Sequence, residues 1–507
     1  MKRPSVDTNK NGLAPSKGHP SMDGNGKAEL PQASSEESCG VVVEKVELRK
    51  SITFAGALAI LLTNCGGTSI FIVPTTILGY AGSPFMALVI WLVGGIVQAT
   101  LAYCASELAL MFMKAGGPYY FIYQTFGDLA GFVFIWGFLI FIAAPAWALG
   151  SYTTSLYLLS IVFRDCAISD GLVKLVAAFI IVTFIAINCT YTKVVTQIQK
   201  FFTAAKVLAF IIIIVTGFVF IPTESAQEHL EVFTEGSTTD VGRLALAMFA
   251  GFFSFGGWQI ITILAEEVKN PEKVIPRALG CTFLVLITAC VATNFAFFVV
   301  LSKQEAFKSD AIAVIFGEMV HPAMAIGLAV LVSVCSIGSV NVLIMGQPRL
   351  LYAAGLNGHM PRMMTLLHIK FKTPWIATMT LGILGFATLA SGTVASLVET
   401  ISLYSASMIF ALMLCLLFLR WKRPDAKRPL KVPIVFPIFG MILTSLLIAM
   451  SVYEKPRELG MVILTIICGV PVYYVFVKWQ RPAGFFRAID VLTTRLQILL
   501  QLSFPET

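Results

Sequence analysis

Apolar runs long enough to cross the roughly 30 Å of a bilayer's hydrocarbon core recur from end to end of this 507-residue chain. They fall at 52–78, 85–110, 129–159, 172–188, 202–221, 244–264, 279–301, 324–345, 376–389, 394–419, 432–452 and 461–477. Hydrocarbon offers no water to a backbone, so each run has to close its own hydrogen bonds, and only helices or a closed barrel do that. Most of these runs have the length of a helix and exceed that of a barrel strand. The chain is 57% hydrophobic and 13% charged, more apolar surface than a soluble domain of this length needs. The expectation is an all-α polytopic membrane protein of about twelve spans.

Basic residues orient the spans. Lys45, Arg49 and Lys50 precede the first span, and Lys193 and Lys200 lie between the fourth and fifth. Lys269, Lys273 and Arg277 follow the sixth, and Arg349, Arg362, Lys370 and Lys372 the eighth. Arg420, Lys422, Arg423, Lys427, Arg428 and Lys431 follow the tenth, and Lys478, Arg481 and Arg487 the twelfth. If spans alternate, all these loops share one side. The loop after the fifth span is acidic instead, with Glu224, Glu228, Glu231, Glu235 and Asp240. Both termini are therefore expected in the cytoplasm, and the net charge of +8 reflects this bias rather than a nucleic-acid footprint.

Residues 1–44 are rich in Ser, Pro, Gly, Asn, Lys and Glu and poor in apolar side chains, the composition of a disordered tail. No signal-peptide core lies there, so the first span is read as uncleaved. The transporter-like region covers 45–480, and 481–507 form a separate tail. In that tail Phe486, Ile489, Leu492, Leu496 and Leu499 follow helical spacing. It is read either as an amphipathic helix on the inner membrane surface or as a helix docked on the cytoplasmic loops.

Two spans are interrupted. "NCGGTSIF" (64–71) puts two glycines and small polar residues inside the first, and "SFGGWQ" (254–259) puts Gly256 and Gly257 inside the sixth. Small residues also allow close helix packing, and that reading stands beside the next one. Paired breaks at corresponding positions mark a binding site between inverted repeats. Amides at the head of one half-helix hold a carboxylate, and carbonyls at the tail of the other hold an ammonium. One small molecule with both groups is an α-amino acid.

The fragments around these breaks resemble a known family. "TNCGGTSIFIVPTTIL", "FTAAKVLAF", "FFSFGGWQ" with "EEVKNPEKVIP", "SIGSVN" with "PRLLYAAGLNGHMP", "LRWKRPDAKRPLKVP" and "GVPVYYVFVKW" are similar, in order and spacing, to the L-type amino acid transporters. These are light chains of the heteromeric transporters in the amino acid–polyamine–organocation superfamily. The resemblance implies a leucine-transporter-like fold, with five-helix inverted repeats at about 50–221 and 242–419 and two extra helices at 432–477. It implies that Gly67, Thr68 and Ser69 bind the substrate carboxylate, Ser69 replacing a family glycine. It puts the ammonium near the carbonyls of Cys65, Phe253 and Gly256. It makes Phe253 an aromatic gate, and Trp258, beside Gln259, the wall of the side-chain pocket. For Trp258 an ordinary packing role remains open.

Lys206 is a lone cation well inside the fifth span. Such charges are costly and usually functional, though a lysine near the interface also snorkels. By resemblance it stands where sodium-coupled relatives hold sodium and ties the first span to the fifth and eighth. Glu107 matches a family position taken as structural. Ala144 before Pro145, Ser405 and Ala406 replace bulky or cationic family residues, which lowers the expectation of an anionic substrate. Glu399 is read as an attractor of cations or as an ordinary interfacial carboxylate.

Ten cysteines are present. Cys104, Cys189, Cys281, Cys290, Cys335, Cys415 and Cys468 read as small apolar fillers, and Cys39 as a reduced tail thiol. Cys166, between the third and fourth spans, stands alone on an outward loop. That favours an intermolecular disulfide over a free thiol, and by resemblance its partner is a single-pass glycoprotein heavy chain. No metalloprotease, phosphate-loop or nucleophile-elbow motif occurs, so neither enzyme chemistry, metal nor cofactor is expected. The implied activity is sodium-independent exchange of neutral, including large, L-amino acids at the plasma membrane. Cationic substrates and a transporter-like sensor remain alternatives.

Overall fold

The computed structural model describes residues 50–67, 69–163, 168–307, 312–391, 394–454, 456–478 and 483–505. The expected tail at 1–44, Thr68 and Cys166 lie outside the described residues. Among the described residues eight helices are long and apolar enough to cross a membrane, and four shorter apolar helices complete twelve. The chain is a polytopic all-α membrane protein, and its sheet is a single two-stranded pair.

Helices extend past the apolar runs wherever their ends leave the hydrocarbon. The fifth starts at Thr192 and the seventh at Pro271. Their opening turns are polar, so hydropathy reports only the part that lipid covers. Short helices in the loops, such as Gly117–Phe126 and Glu224–Glu231, carry too few apolar residues to register as spans. The third span is continuous over Asp128–Val162 but widens to a π-helix at Leu139–Ala143. Pro145 follows two residues on, and a residue without an N–H displaces the hydrogen-bond register of the turn before it.

The two ends of the bundle are held by different contacts. At the end that carries the basic loops, Ile52 pairs with Val268. The Glu107 carboxylate, fully buried, accepts from Arg420 Nε at 3.0 Å and from the Val432 amide at 2.9 Å. This staple joins the second, tenth and eleventh spans, the structural role expected of Glu107. At the opposite end, which carries the acidic loop, Ser83 bonds Ser237 at 2.7 Å and the Thr238 amide donates to Ala81 at 3.0 Å. Arg243 donates to the Gly79 carbonyl at 2.7 Å. The first span thus runs from the basic end to the acidic end. The sixth runs the other way, as inverted repeats require.

The C-terminal segment does more than lie on a surface. Its helix Ala483–Leu500 ends in a strand in which Leu502 and Ser503 pair with His368 and Leu367. Arg362 stacks over the Phe504 ring, 4.5 Å from its centroid. The docked reading therefore holds at the end of the tail. Val491, Ile498 and Leu499 remain exposed, an apolar strip of the kind that meets a membrane interface.

Candidate functional site

Both interrupted spans are broken where the glycines stand. Helix Phe54–Asn64 stops and helix Ser69–Ala81 restarts. Gly66 and Gly67 take φ of 76° and 38°, a left-handed backbone that a side chain would strain. In the sixth span, helix Val241–Ser254 stops and Gln259–Ile263 resumes, with Gly257 at φ 99°. A Cβ on Gly257 would sit 2.7 Å from the Asn64 carbonyl oxygen. Ser69 begins a right-handed helix, so its replacement of the family glycine leaves the unwinding to Gly66 and Gly67.

The breaks face each other and are stitched together. Asn64 Nδ2 donates to the Gly257 carbonyl at 2.7 Å, and the Gly66 amide donates to the Gly256 carbonyl at 3.2 Å. Ser69 Oγ donates to the Ser254 carbonyl at 3.2 Å. Gln259 Oε1 accepts from the Gly257 amide at 3.1 Å. These contacts satisfy backbone groups that lipid would leave bare, which is the condition for irregular backbone at membrane depth. Gly67, Ser69, Phe253, Gly256 and Gln259 keep partial exposure around the stitched core. Among the described residues, a Cβ on Gly256 would meet only the Phe253 carbonyl within 4 Å, at a tight 3.1 Å.

Lys206 is buried under the first break. Its ammonium donates to the carbonyls of Cys65 at 2.8 Å, Leu62 at 3.0 Å and Thr63 at 3.4 Å. These carbonyls lie at the end of helix Phe54–Asn64, where no intrahelical donor follows and the dipole is negative. Snorkelling is ruled out for this conformation, since the side chain is 1% exposed. Ser339 of the eighth span donates to the same Thr63 carbonyl at 3.0 Å, and Thr203 bonds Thr63 Oγ1 at 2.7 Å. The eighth span is therefore tied to the first through Ser339, with the lysine as the central cation. The Cys65 carbonyl, expected to meet a substrate ammonium, is engaged by Lys206.

Two further residues expected at the pocket make packing contacts. Trp258 is fully buried, and its Nε1 donates to Gln98 Oε1 at 2.7 Å. Gln98 Nε2 in turn reaches the Phe252 carbonyl at 2.6 Å. The indole packs the second span against the sixth, the packing role that the sequence left open for it beside the pocket wall. Ser405 lies on helix Val394–Lys422, which packs on the π-helical turn of the third span. Its neighbour Tyr404 is buried and donates to the Phe134 carbonyl at 2.7 Å. Eight cysteines among the described residues are free, and six of them are buried.

A second cluster seals the basic end. Arg349, after the eighth span, grips Glu267, at the exit of the sixth, through Nε–Oε1 at 2.6 Å and Nη2–Oε2 at 3.3 Å. Both side chains are at most 3% exposed. The Glu267 carbonyl accepts from the amides of Ser51 and Ile52 at 3.0 Å each, and Lys269 N donates to Ile52 at 2.9 Å. Glu266 accepts from the Ala115 amide at 2.8 Å. Sequence reasoning counted Arg349 and Lys269 as orienting signals and missed the pairing of Arg349 with Glu267. It also passed over Asn64, although the residue stands first in the quoted break.

A fold with opposed broken helices welded at mid-span, and a cation under one break, defines a secondary transporter. A family model described as amino acid permease matches residues 52–475. The cystine/glutamate transporter of Homo sapiens is 32% identical over 481 residues, covering 95% of this chain and 95% of that one. Large neutral amino acids transporter small subunit 2 of Oryctolagus cuniculus is 31% identical over 486 residues, 95% of this chain and 90% of that one. Asc-type amino acid transporter 1 of Mus musculus is 31% identical over 470 residues, 91% and 88% of the two chains. The chain belongs to the amino acid permease family. It is a membrane transporter of amino acids and not an enzyme, and the resemblance read from the glycine breaks holds.

Proposed function

We propose that this chain is a sodium-independent exchanger of neutral, including large, L-amino acids, acting at the plasma membrane as the light chain of a disulfide-linked heterodimer. The observation that carries the proposal is the pair of stitched breaks with Lys206 beneath them. The substrate carboxylate meets the amides of Gly67, Thr68 and Ser69 at the head of helix Ser69–Ala81, where the dipole favours an anion. The ammonium meets carbonyls at Phe253 and Gly256, past the end of helix Val241–Ser254. Cys65 contributes through Lys206 rather than directly. A fixed ammonium on three carbonyls supplies the charge that a bound sodium ion would supply, so transport needs no sodium gradient.

Ala144, Ser405 and Ala406 add no charge around the side-chain end, which favours neutral substrates. Names of relatives agree with transport of amino acids and with a subunit role: one is a large neutral amino acids transporter small subunit. The basic end faces the cytoplasm, with both termini there, and Cys166 faces outward toward the heavy chain. Residues 45–480 form the transporter, the repeats spanning about 50–221 and 242–419.

The test is uptake of a radiolabelled amino acid panel in cells, with and without a co-expressed heavy chain, and with sodium replaced by choline. Uptake unchanged by choline and accelerated by preloaded neutral amino acids is expected. Strong sodium dependence overturns the role of Lys206. Binding without flux makes the chain a sensor.

A further inference from the structure

We propose that the loop joining the tenth and eleventh spans is a binding site for the headgroup of an anionic phospholipid. A cleft of about 530 Å³ opens there, lined by Arg420, Pro424, Arg428, Lys431, Pro433 and Ile434. Its charge is not balanced. Glu107 is the carboxylate that reaches Arg420 and lies 3.4 Å from Arg428 Nε, and one carboxylate against three cations leaves a surplus of two. Lys422, Arg423 and Lys427 stand exposed on the same loop, against Asp425 alone.

The cleft is also built rather than merely decorated. Arg428 Nη2 donates to the carbonyls of Arg423 at 2.9 Å and Leu419 at 3.1 Å, and Nη1 to Pro424 at 3.1 Å. These bonds close the loop over the end of helix Val394–Lys422 without cancelling its charge. The positive-inside bias asks only for exposed cations near a helix end. It does not ask for an open cleft with two of them held in its lining.

The rim decides between a lipid and a free anion. Trp421 is 80% exposed, Val435 68% and Ile434 54%. Ile434 lines the cleft, and Trp421 and Val435 are the sequence neighbours of its lining residues Arg420 and Ile434, in the last turn of the tenth span and at the start of the eleventh. Tryptophan at a helix end marks the headgroup level of a bilayer. A phosphate in the cleft with apolar chains beside Trp421, Ile434 and Val435 uses both halves of the surface, whereas inorganic phosphate uses only one. The proposed orientation assigns the site to the inner leaflet, where anionic lipids concentrate, but lipid binding is measured without reference to transport.

The experiment uses the purified full-length protein in phosphatidylcholine nanodiscs, with and without a minor fraction of phosphatidylinositol bisphosphate. Retention of the anionic lipid is read by native mass spectrometry. Preferential retention is expected, about fivefold weaker in Lys431→Gln and weaker still in Lys431→Glu, at roughly fivefold per surface charge. Trp421→Gln should weaken retention of the lipid and leave competition by inorganic phosphate unchanged. Lys431 and Trp421 are exposed, and an unaltered melting curve verifies that each variant folds. No preference for the anionic lipid, or the same preference in Lys431→Glu, overturns the proposal. Full competition by inorganic phosphate at equal concentration overturns the lipid as its source.

Discussion

Glu267→Gln should unlock the basic end of the transporter. The substitution leaves the Arg349 guanidinium in place with its two carboxylate contacts reduced to an amide, at a site where both side chains are at most 3% exposed. Removing one partner of a buried ion pair costs about 3–5 kcal/mol. If the seal parts on each cycle, that cost falls on the sealed state alone and shifts the equilibrium toward the open state by roughly two to four powers of ten. A Val268→Cys reporter reads the shift, because Val268 is fully buried and pairs with Ile52 in the seal. In inside-out vesicles an impermeant thiol reagent should label this cysteine slowly alone and much faster with Glu267→Gln. Exchange should fall, because an open basic end delays the return to the opposite side. The double substitution Glu267→Leu with Arg349→Met removes both charges and should recover most of the closure, since an apolar pair of similar volume is often neutral. Equal labelling with and without Glu267→Gln would refute the gate. A double variant as leaky as the single one would show that the two residues do not act as a pair.

Gly256→Trp should abolish uptake with surface expression largely intact, because its side chain would press on the Phe253 carbonyl and occlude the proposed ammonium site; uptake and surface labelling read the two effects separately. Cys166→Ser should remove a reducible high-mass band from a non-reducing gel, with surface delivery reduced more than function. Acidification should loosen the packing of His359. This ring is buried, with Nδ1 2.7 Å from the Tyr119 hydroxyl. Burial holds its pKa below 6.5, against a smaller opposing pull from Asp128. The unfolded state then binds the proton more readily, so stability is full above about pH 6.5 and falls as pH drops through that value, levelling below the folded pKa. Melting curves at neutral and mildly acidic pH should separate by less in His359→Gln.

The sequence made the spans legible because each has to be apolar along its length, and lipid contact is a property of single residues. The breaks were legible for a related reason: Gly66, Gly67 and Gly257 adopt backbone angles that other residues resist. Lys206 stood out because a charge in hydrocarbon has few explanations. What stayed hidden depends on which residues meet. Nothing in the spacing of Glu267 and Arg349 marks them as partners, and Asn64 reads as one more polar residue until the sixth span lies beside it. The bond from the Trp258 nitrogen to Gln98 was hidden for the same reason, since nothing in the spacing of the two residues brings them together. The short helices and the strand pairing at Leu367 and Ser503 lie in loops whose composition fits many conformations.

The staple on Glu107 has a consequence for how the chain is made. Its carboxylate and the arginine that grips it are 313 residues apart. A ribosome adding about 5–20 residues per second takes roughly 15–60 s to make that stretch. Throughout this interval the nascent second span carries an acid whose arginine does not yet exist. Water at the membrane edge has to hold it until Arg420 emerges. Any chain truncated before the tenth span keeps that unpaired acid permanently, a mark by which quality control in the membrane can recognise an unfinished transporter.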